Sequence, residues 1–219
     1  MNGAFQYFMN NQDEVIALTL QHIQLVGLAT VIAILIGVPI GIYLTTNDAV
    51  ADVVLQIAAI IMTIPSIALF GLMIPVLSVI NQGIGFLPAL IALILYSQLP
   101  IIRNTYVAVQ NVDPNMRDAA KGIGMSSWER IRMVEIPIAL PVIMAGVRNA
   151  VVLSIGIGAI AAFIGAGGLG VLIDQGISRY NRDMIVVGAV GVSLLAIIAD
   201  TLLGILQRVL TPKGMNINA

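Results

Sequence analysis

The segment Asp113-Pro-Asn-Met-Arg-Asp-Ala-Ala-Lys-Gly-Ile-Gly-Met-Ser-Ser-Trp-Glu-Arg-Ile-Arg-Met-Val-Glu135 decides how the rest of the chain must be arranged. It is the one long polar interruption in a 219-residue sequence that is 59% hydrophobic and only 10% charged. With a mean hydropathy of +1.02, the flanking sequence is too apolar for a soluble domain and needs lipid around it. The fold class expected is therefore all-α integral membrane.

Outward from the segment, apolar runs recur. A bilayer core of about 30 Å takes about 20 helical residues at about 1.5 Å rise each. Five runs approach or exceed that length: residues 23–44, 53–80, 87–102, 138–164 and 184–207. They lack the alternation of barrel strands, and an open backbone in hydrocarbon satisfies its hydrogen bonds only as helix. The expectation is a single transmembrane domain over 1–219, with five helices and a polar loop over 103–136. Pro39, Pro65 and Pro75 each remove a backbone donor inside these runs, so kinked helices lining a path are expected.

Basic residues in short loops stay cytoplasmic. With the amino terminus outside and the carboxyl terminus in the cytoplasm, the inside holds Arg103, Arg117, Lys121, Arg130, Arg132, Arg208 and Lys213; the outside holds Arg179 and Arg182. Composition also excludes several chemistries. There is no cysteine, hence no disulfide framework or thiolate metal cluster. Ten Lys and Arg against eleven Asp and Glu leave no cationic excess for nucleic acid. The amino terminus has no basic region like that of a cleavable signal, so the first apolar run is expected to remain as a span.

Local rules define the polar loop further. Asp113 before Pro114 is an N-cap followed by proline at the first helical position, and Gly122 and Gly124 are placed to end that helix in left-handed conformations. Ser126 and Glu129 match a capping box, opening a second helix expected to stop before Pro137. Two short helices around a glycine turn also describe a DNA-binding motif, but five cations facing Asp113, Asp118, Glu129 and Glu135 do not suit a polyanion. A knob for a protein groove fits better.

Asp118-Ala-Ala-Lys-Gly-Ile-Gly124, followed after nine residues by Val134-Glu-Ile-Pro137, resembles the EAA loop of ABC importer membrane subunits. Asp118, Val134 and Ile136 are conservative departures from that pattern. The resemblance implies that Arg117, Asp118, Ala119, Ala120, Gly122, Gly124, Ser126, Trp128, Glu129 and Arg130 face a cytoplasmic ABC ATPase dimer. It implies too that ATP and magnesium are bound there rather than by this chain. A bulky residue at Gly124 is then expected to abolish ATPase docking and transport without affecting insertion. Two further segments, Thr63-Ile-Pro-Ser-Ile-Ala-Leu-Phe-Gly71 and Gly165-Ala-Gly-Gly-Leu-Gly170, are similar to permeases that take up glycine betaine, choline and carnitine. Met62 stands where that family has Gln. Met62, Thr63, Pro65 and Ser66 are thus candidates for lining the translocation path.

The run Gly165–Gly170 lacks the Lys-Ser/Thr of a phosphate-binding loop and is expected as an outer turn. Aromatic residues are 5% of the chain and scattered, so an aromatic cage for a quaternary amine is expected on an extracellular or periplasmic binding protein. Arg148 and Asp200 are the ionisable residues within the spans and could pair there. His22 is expected at the outer interface. The importer subunit is expected to dimerise in the cell membrane with a second permease subunit, either itself or a similar chain. The alternatives are an ABC permease for methionine or another amino acid and, in another class, an ion-coupled secondary transporter, which would need intramembrane acids. No catalytic or metal-binding constellation is evident in the spans.

Overall fold

A computed structural model describes residues 2–211, and among these the regular elements are all helical. They are α1 (Asn2–Asn10), α2 (Gln12–Leu44), α3 (Asp48–Thr63), α4 (Ser66–Ser78), α5 (Phe86–Gln110), α6 (Pro114–Gly122), α7 (Ser127–Arg130), a π-helical turn (Ile131–Glu135), α8 (Ile136–Ile160), a 3₁₀ turn (Ala161–Ile164), α9 (Gly170–Ser178) and α10 (Arg182–Leu210). Helices α2, α5, the continuous run 127–164 and α10 are each long and apolar enough to cross a membrane, and α3 with α4 forms a fifth, broken span. Lys213, one of the cations expected in the cytoplasm, lies outside the described residues.

The core sits on α5, which packs between α2 and α8 and buries Ala89, Ala92, Leu93 and Ile101. Small residues let these helices approach: a Cβ at Gly41 would lie 2.6 Å from the Thr105 Cβ, and one at Gly146 would lie 2.6 Å from the Pro100 carbonyl oxygen. Helix α10 lies at the edge of this core, with Val192, Leu195, Ala196, Ala199 and Leu203 packed against it. Only Met184 and Gly188 of its residues are buried, while Val190, Leu194, Ile198 and Leu202 remain exposed, as a lipid-facing helix requires.

Contacts between the ends fix the topology. Leu44, Ala51 and Ile102 cluster at one end, where Tyr106 and Gln110 also donate to the Asp48 carboxylate. The Gln207 amide of α10 reaches the Pro141 carbonyl of α8 at that end. At the other end, the Gly85 N–H bonds the Ile164 carbonyl at 2.8 Å, and α1 packs on the start of α10. The loop between α5 and α8, the α2–α3 turn and the end of α10 therefore share one face. Arg117, Lys121, Arg130, Arg132 and Arg208 lie on that side, and Arg179 and Arg182 on the other.

Several elements depart from the sequence expectations. The spans expected at 23–44 and 87–102 extend to 12–44 and 86–110. A charge-free window measures only the part in lipid, whereas these helices continue through polar turns held by tertiary hydrogen bonds. At 33 residues, α2 is about 50 Å long, well beyond the hydrocarbon core. His22, ten residues into this helix, is not at the surface of the bundle. It is 1% exposed, and its Nε2 sits 3.1 Å from the Ile155 carbonyl oxygen, in space left open by Gly158 and Gly168.

Pro65 does more than kink its span: α3 and α4 are bent by 100°. Ile64 adopts φ −68° and ψ 126°, the extended geometry favoured before proline. Its carbonyl accepts from the Tyr96 hydroxyl of α5. A neighbouring helix thus satisfies the group that the break frees. Pro39 and Pro75 lie inside helices that continue past them. Finally, the glycine-rich connection after the fourth span contains α9, and the chain begins with α1; neither has enough apolar length to register as a span.

Candidate functional site

The polar loop folds as two capped helices. The Asp113 side chain accepts from the Asn115 N–H at 2.8 Å with Pro114 at the first helical position, opening α6. Gly124 alone takes the left-handed conformation, at φ +86°, and its N–H bonds the Lys121 carbonyl. Gly122 instead is the last residue of α6, correcting the expectation of two left-handed glycines. One left-handed residue suffices to close the helix, and a second would unwind its last turn.

The capping box is complete. The Ser126 N–H donates to the Glu129 carboxylate at 2.8 Å, and the Glu129 N–H donates to the Ser126 hydroxyl oxygen at 3.3 Å. The Ser126 hydroxyl also donates to the same carboxylate at 2.7 Å. These bonds, first the hydroxyl and then the backbone N–H, hold the Glu129 carboxyl below the usual carboxylate range.

The second loop helix does not stop before Pro137. It widens into the π turn, in which the Ile136 N–H reaches back to the Ile131 carbonyl, and then continues as α8. A proline ring clashes with the carbonyl four residues earlier in an α-helix. The wider turn gives Pro137 room, so the chain passes through without a break. The loop is thereby continuous with the fourth span.

Several large apolar side chains of the loop are open to solvent. Met116, Ile123, Trp128 and Met133 are all exposed, with Trp128 at 68% and Ile123 at 75%. Asp118 and Ala119 are exposed as well, and Asp118 pairs with Lys121 at 3.0 Å, whereas Ala120 is buried. The inner face is tied down by an ion cluster that sequence reasoning passed over. Glu135 lies between Arg130 and Arg117, at 2.7 Å and 3.6 Å. The only trace of it in the sequence is charge of both signs near the end of the loop.

Within the spans, the Arg148 guanidinium of α8 donates to both Asp200 oxygens of α10, at 2.9 and 2.8 Å, and to the Gln207 side chain at 3.1 Å. Beside this pair is an open cavity of about 690 Å³ lined by Met62, Leu99, Pro100, Arg103, Asn104, Asn149, Val152, Leu153 and Asp200. Met62 therefore sits in the cavity wall one residue before the Thr63 end of α3, while Thr63 and Pro65 are exposed and Ser66 half-buried. Arg103 lies on α5 rather than in a loop and turns its side chain to this cavity. Polar side chains from three spans thus converge on a surface that is otherwise apolar.

A bundle of five spans around α5, with a helical loop that runs straight into the fourth span, defines the membrane-subunit fold of ABC importers. The MetNI methionine ABC transporter in an inward-facing conformation has this fold, matching 93% of this chain and 99% of that one with a TM-score of 0.83 at 22% identity. An amino acid ABC transporter with histidines matches 93% and 97% at a TM-score of 0.76.

Residues 18–213 match the model of the binding-protein-dependent transport system inner membrane component, and the chain belongs to this family of integral membrane permeases. Its role is transport rather than catalysis. The osmoprotectant import permease protein OsmW of Salmonella typhimurium is 54% identical over 209 residues, covering 95% of this chain and 97% of that protein. The glycine betaine/carnitine/choline transport system permease protein OpuCB of Bacillus subtilis is 42% identical over 98% of this chain and 97% of its own length. The carnitine transport permease protein OpuCB of Listeria monocytogenes is 40% identical, with 98% and 96% covered.

Proposed function

We propose that this chain is the membrane subunit of an ATP-driven importer for compatible solutes, namely glycine betaine, carnitine, choline or a related quaternary amine. The observation that carries it is the end-to-end identity of 54% to a permease named for osmoprotectant import. The 22% likeness to a methionine transporter supports the fold alone.

In this account the exposed residues of the loop, Asp118, Ala119, Gly122, Gly124, Ser126, Trp128 and Glu129, dock on a cytoplasmic ABC ATPase dimer that binds ATP and magnesium, while Arg117, Ala120 and Arg130 are turned inward and support them. The loop end is the cytoplasmic end, so the amino terminus is outside. Five described loop-end cations, set against Arg179 and Arg182 at the opposite end, favour that orientation. A substrate-binding protein docks from outside, and a second permease subunit packs against the cavity beside Met62. Bacillus subtilis relatives named OpuCB and OpuCD, 42% and 37% identical to this chain, support a paired arrangement. Polar groups facing lipid are costly. Arg103, Asn104, Asn149 and Asp200 are therefore best placed on a watered path between two subunits, with Met62, Thr63, Pro65 and Ser66 at its wall.

The test is uptake of labelled glycine betaine, carnitine, choline and methionine into liposomes carrying the permease with its ATPase and binding protein. ATP-dependent uptake of one of the quaternary amines is expected. Uptake of methionine instead would move the chain to amino-acid import, and uptake driven by an ion gradient without ATP would remove it from the ABC class.

A further inference from the structure

Glu135 is a carboxylate only 3% exposed at the junction of the cytoplasmic loop and the fourth span. Arg130 Nε donates to its Oε1 at 2.7 Å, and Arg117 Nη2 lies 3.6 Å from its Oε2. Arg117 belongs to α6, Arg130 to α7, and Glu135 to the π turn that leads into α8. The same Nη2 of Arg117 also donates to the Val109 carbonyl near the end of α5. One carboxylate and two guanidinium groups therefore join both loop helices to the ends of two spans.

The π turn makes this possible. Residues five apart on an α-helix point about 140° away from each other. A turn closed by i to i+5 bonds brings them to one face, as the Ile136 N–H to Ile131 carbonyl bond does here for Arg130 and Glu135. Removing one partner from such a pair would leave a buried charge uncompensated, so the cluster resists opening.

We propose that Glu135 is the positioning residue that locks α6 and α7 to the cytoplasmic ends of α5 and α8, so that displacement of the loop is transmitted to the spans instead of being absorbed by a hinge. The proposal rests on the reading of the loop as the seat of the ATPase. Without the lock, α6 would be tied to α5 by the short link at Asn111–Asp113 and the Arg117–Val109 bond, and to α7 by the Gly124 turn, with no charge pair holding either loop helix to the start of α8.

The experiment compares the parent complex with Glu135→Gln and Arg130→Gln permeases, each purified with ATPase and binding protein and reconstituted into liposomes. Two quantities are read: ATPase bound per permease, and substrate taken up per ATP hydrolysed. Both variants are expected to keep the ATPase bound at parent stoichiometry. Uptake per ATP should fall at least tenfold for Glu135→Gln and about threefold for Arg130→Gln, in which Arg117 still faces the carboxylate. A structural role alone would lower both activities in parallel and leave their ratio unchanged, and that result overturns the proposal. Loss of the ATPase from both folded variants also overturns it, by making the cluster a docking element. Should Glu135→Gln fail to insert, Arg130→Gln is judged on the same terms. Failure of the parent permease to hold the ATPase would instead refute the reading of the loop itself.

Discussion

Replacing Gly146 by alanine puts one methyl group where α5 and α8 touch. Its Cβ would stand 2.6 Å from the Pro100 carbonyl oxygen and 2.6 Å from the Asn104 Cβ. Carbon pairs sit best at about 3.5–4.0 Å, so the two helices must separate by about 1 Å. The obstacle is backbone, and the Asn104 amide already donates to that carbonyl at 2.7 Å, which limits its freedom to move. Overpacking of this kind costs about 1–3 kcal/mol. Taking about 2 kcal/mol, the midpoint of thermal unfolding should drop by roughly 4–8 °C for a chain of this size. Gly156 supplies the control on the same helix, because a Cβ there meets nothing within 4 Å. Gly156→Ala should melt no lower than the parent, since alanine is favoured over glycine in helices by about 1 kcal/mol. Circular dichroism of the detergent-purified permease reads both. Equal melting of the two variants would refute the close-packed seam.

Two other perturbations have definite outcomes. Asp200→Asn should lower the melting temperature, because Arg148 loses the charged two-point acceptor and keeps only neutral ones, the Asn oxygen and Gln207, and exchanging the two residues in an Arg148→Asp, Asp200→Arg double variant should recover part of the loss; no difference between single and double variants would deny the pair a role. The capping box should be sensitive to acid. Glu129 titrates below its unfolded value, so the contribution of the box is fully present above the ordinary carboxylate range and is lost as pH falls through the lowered value. Fluorescence of Trp128, the single tryptophan and one residue from Glu129, should follow that loss, and in Ser126→Ala the change should begin at higher pH.

The features legible in the sequence are those set by neighbours along the chain or by the bilayer. Asp113-Pro114 and Ser126 with Glu129 cap their helices through contacts two or three residues away, so local rules suffice. Arg148 and Asp200 are 52 residues apart, yet charge within lipid has so few acceptable partners that pairing them was a natural expectation. What escaped was set by distant contacts. Pro65 marks a break, but nothing near it announces Tyr96 or a bend of 100°. His22 is hidden by Gly158 and Gly168, far along the sequence. Pro137 signals a helix stop under the α-helical rule, and the π turn that evades that rule also creates the Arg130–Glu135 pair.

The most direct test of the loop as the ATPase's seat is at Gly122. Gly124 would strain any side chain at φ +86°, whereas Gly122 ends α6 in ordinary helical geometry, is exposed, and a Cβ added there would meet nothing within 4 Å. A side chain there starts in open space among the described residues, so its bulk is directed at a partner. The measurement is the amount of ATPase that copurifies with Gly122→Ala and Gly122→Trp permeases of equal melting temperature. The alanine variant should retain the ATPase at the parent level, and the tryptophan variant should lose it together with uptake. A tryptophan variant that keeps both would contradict the account.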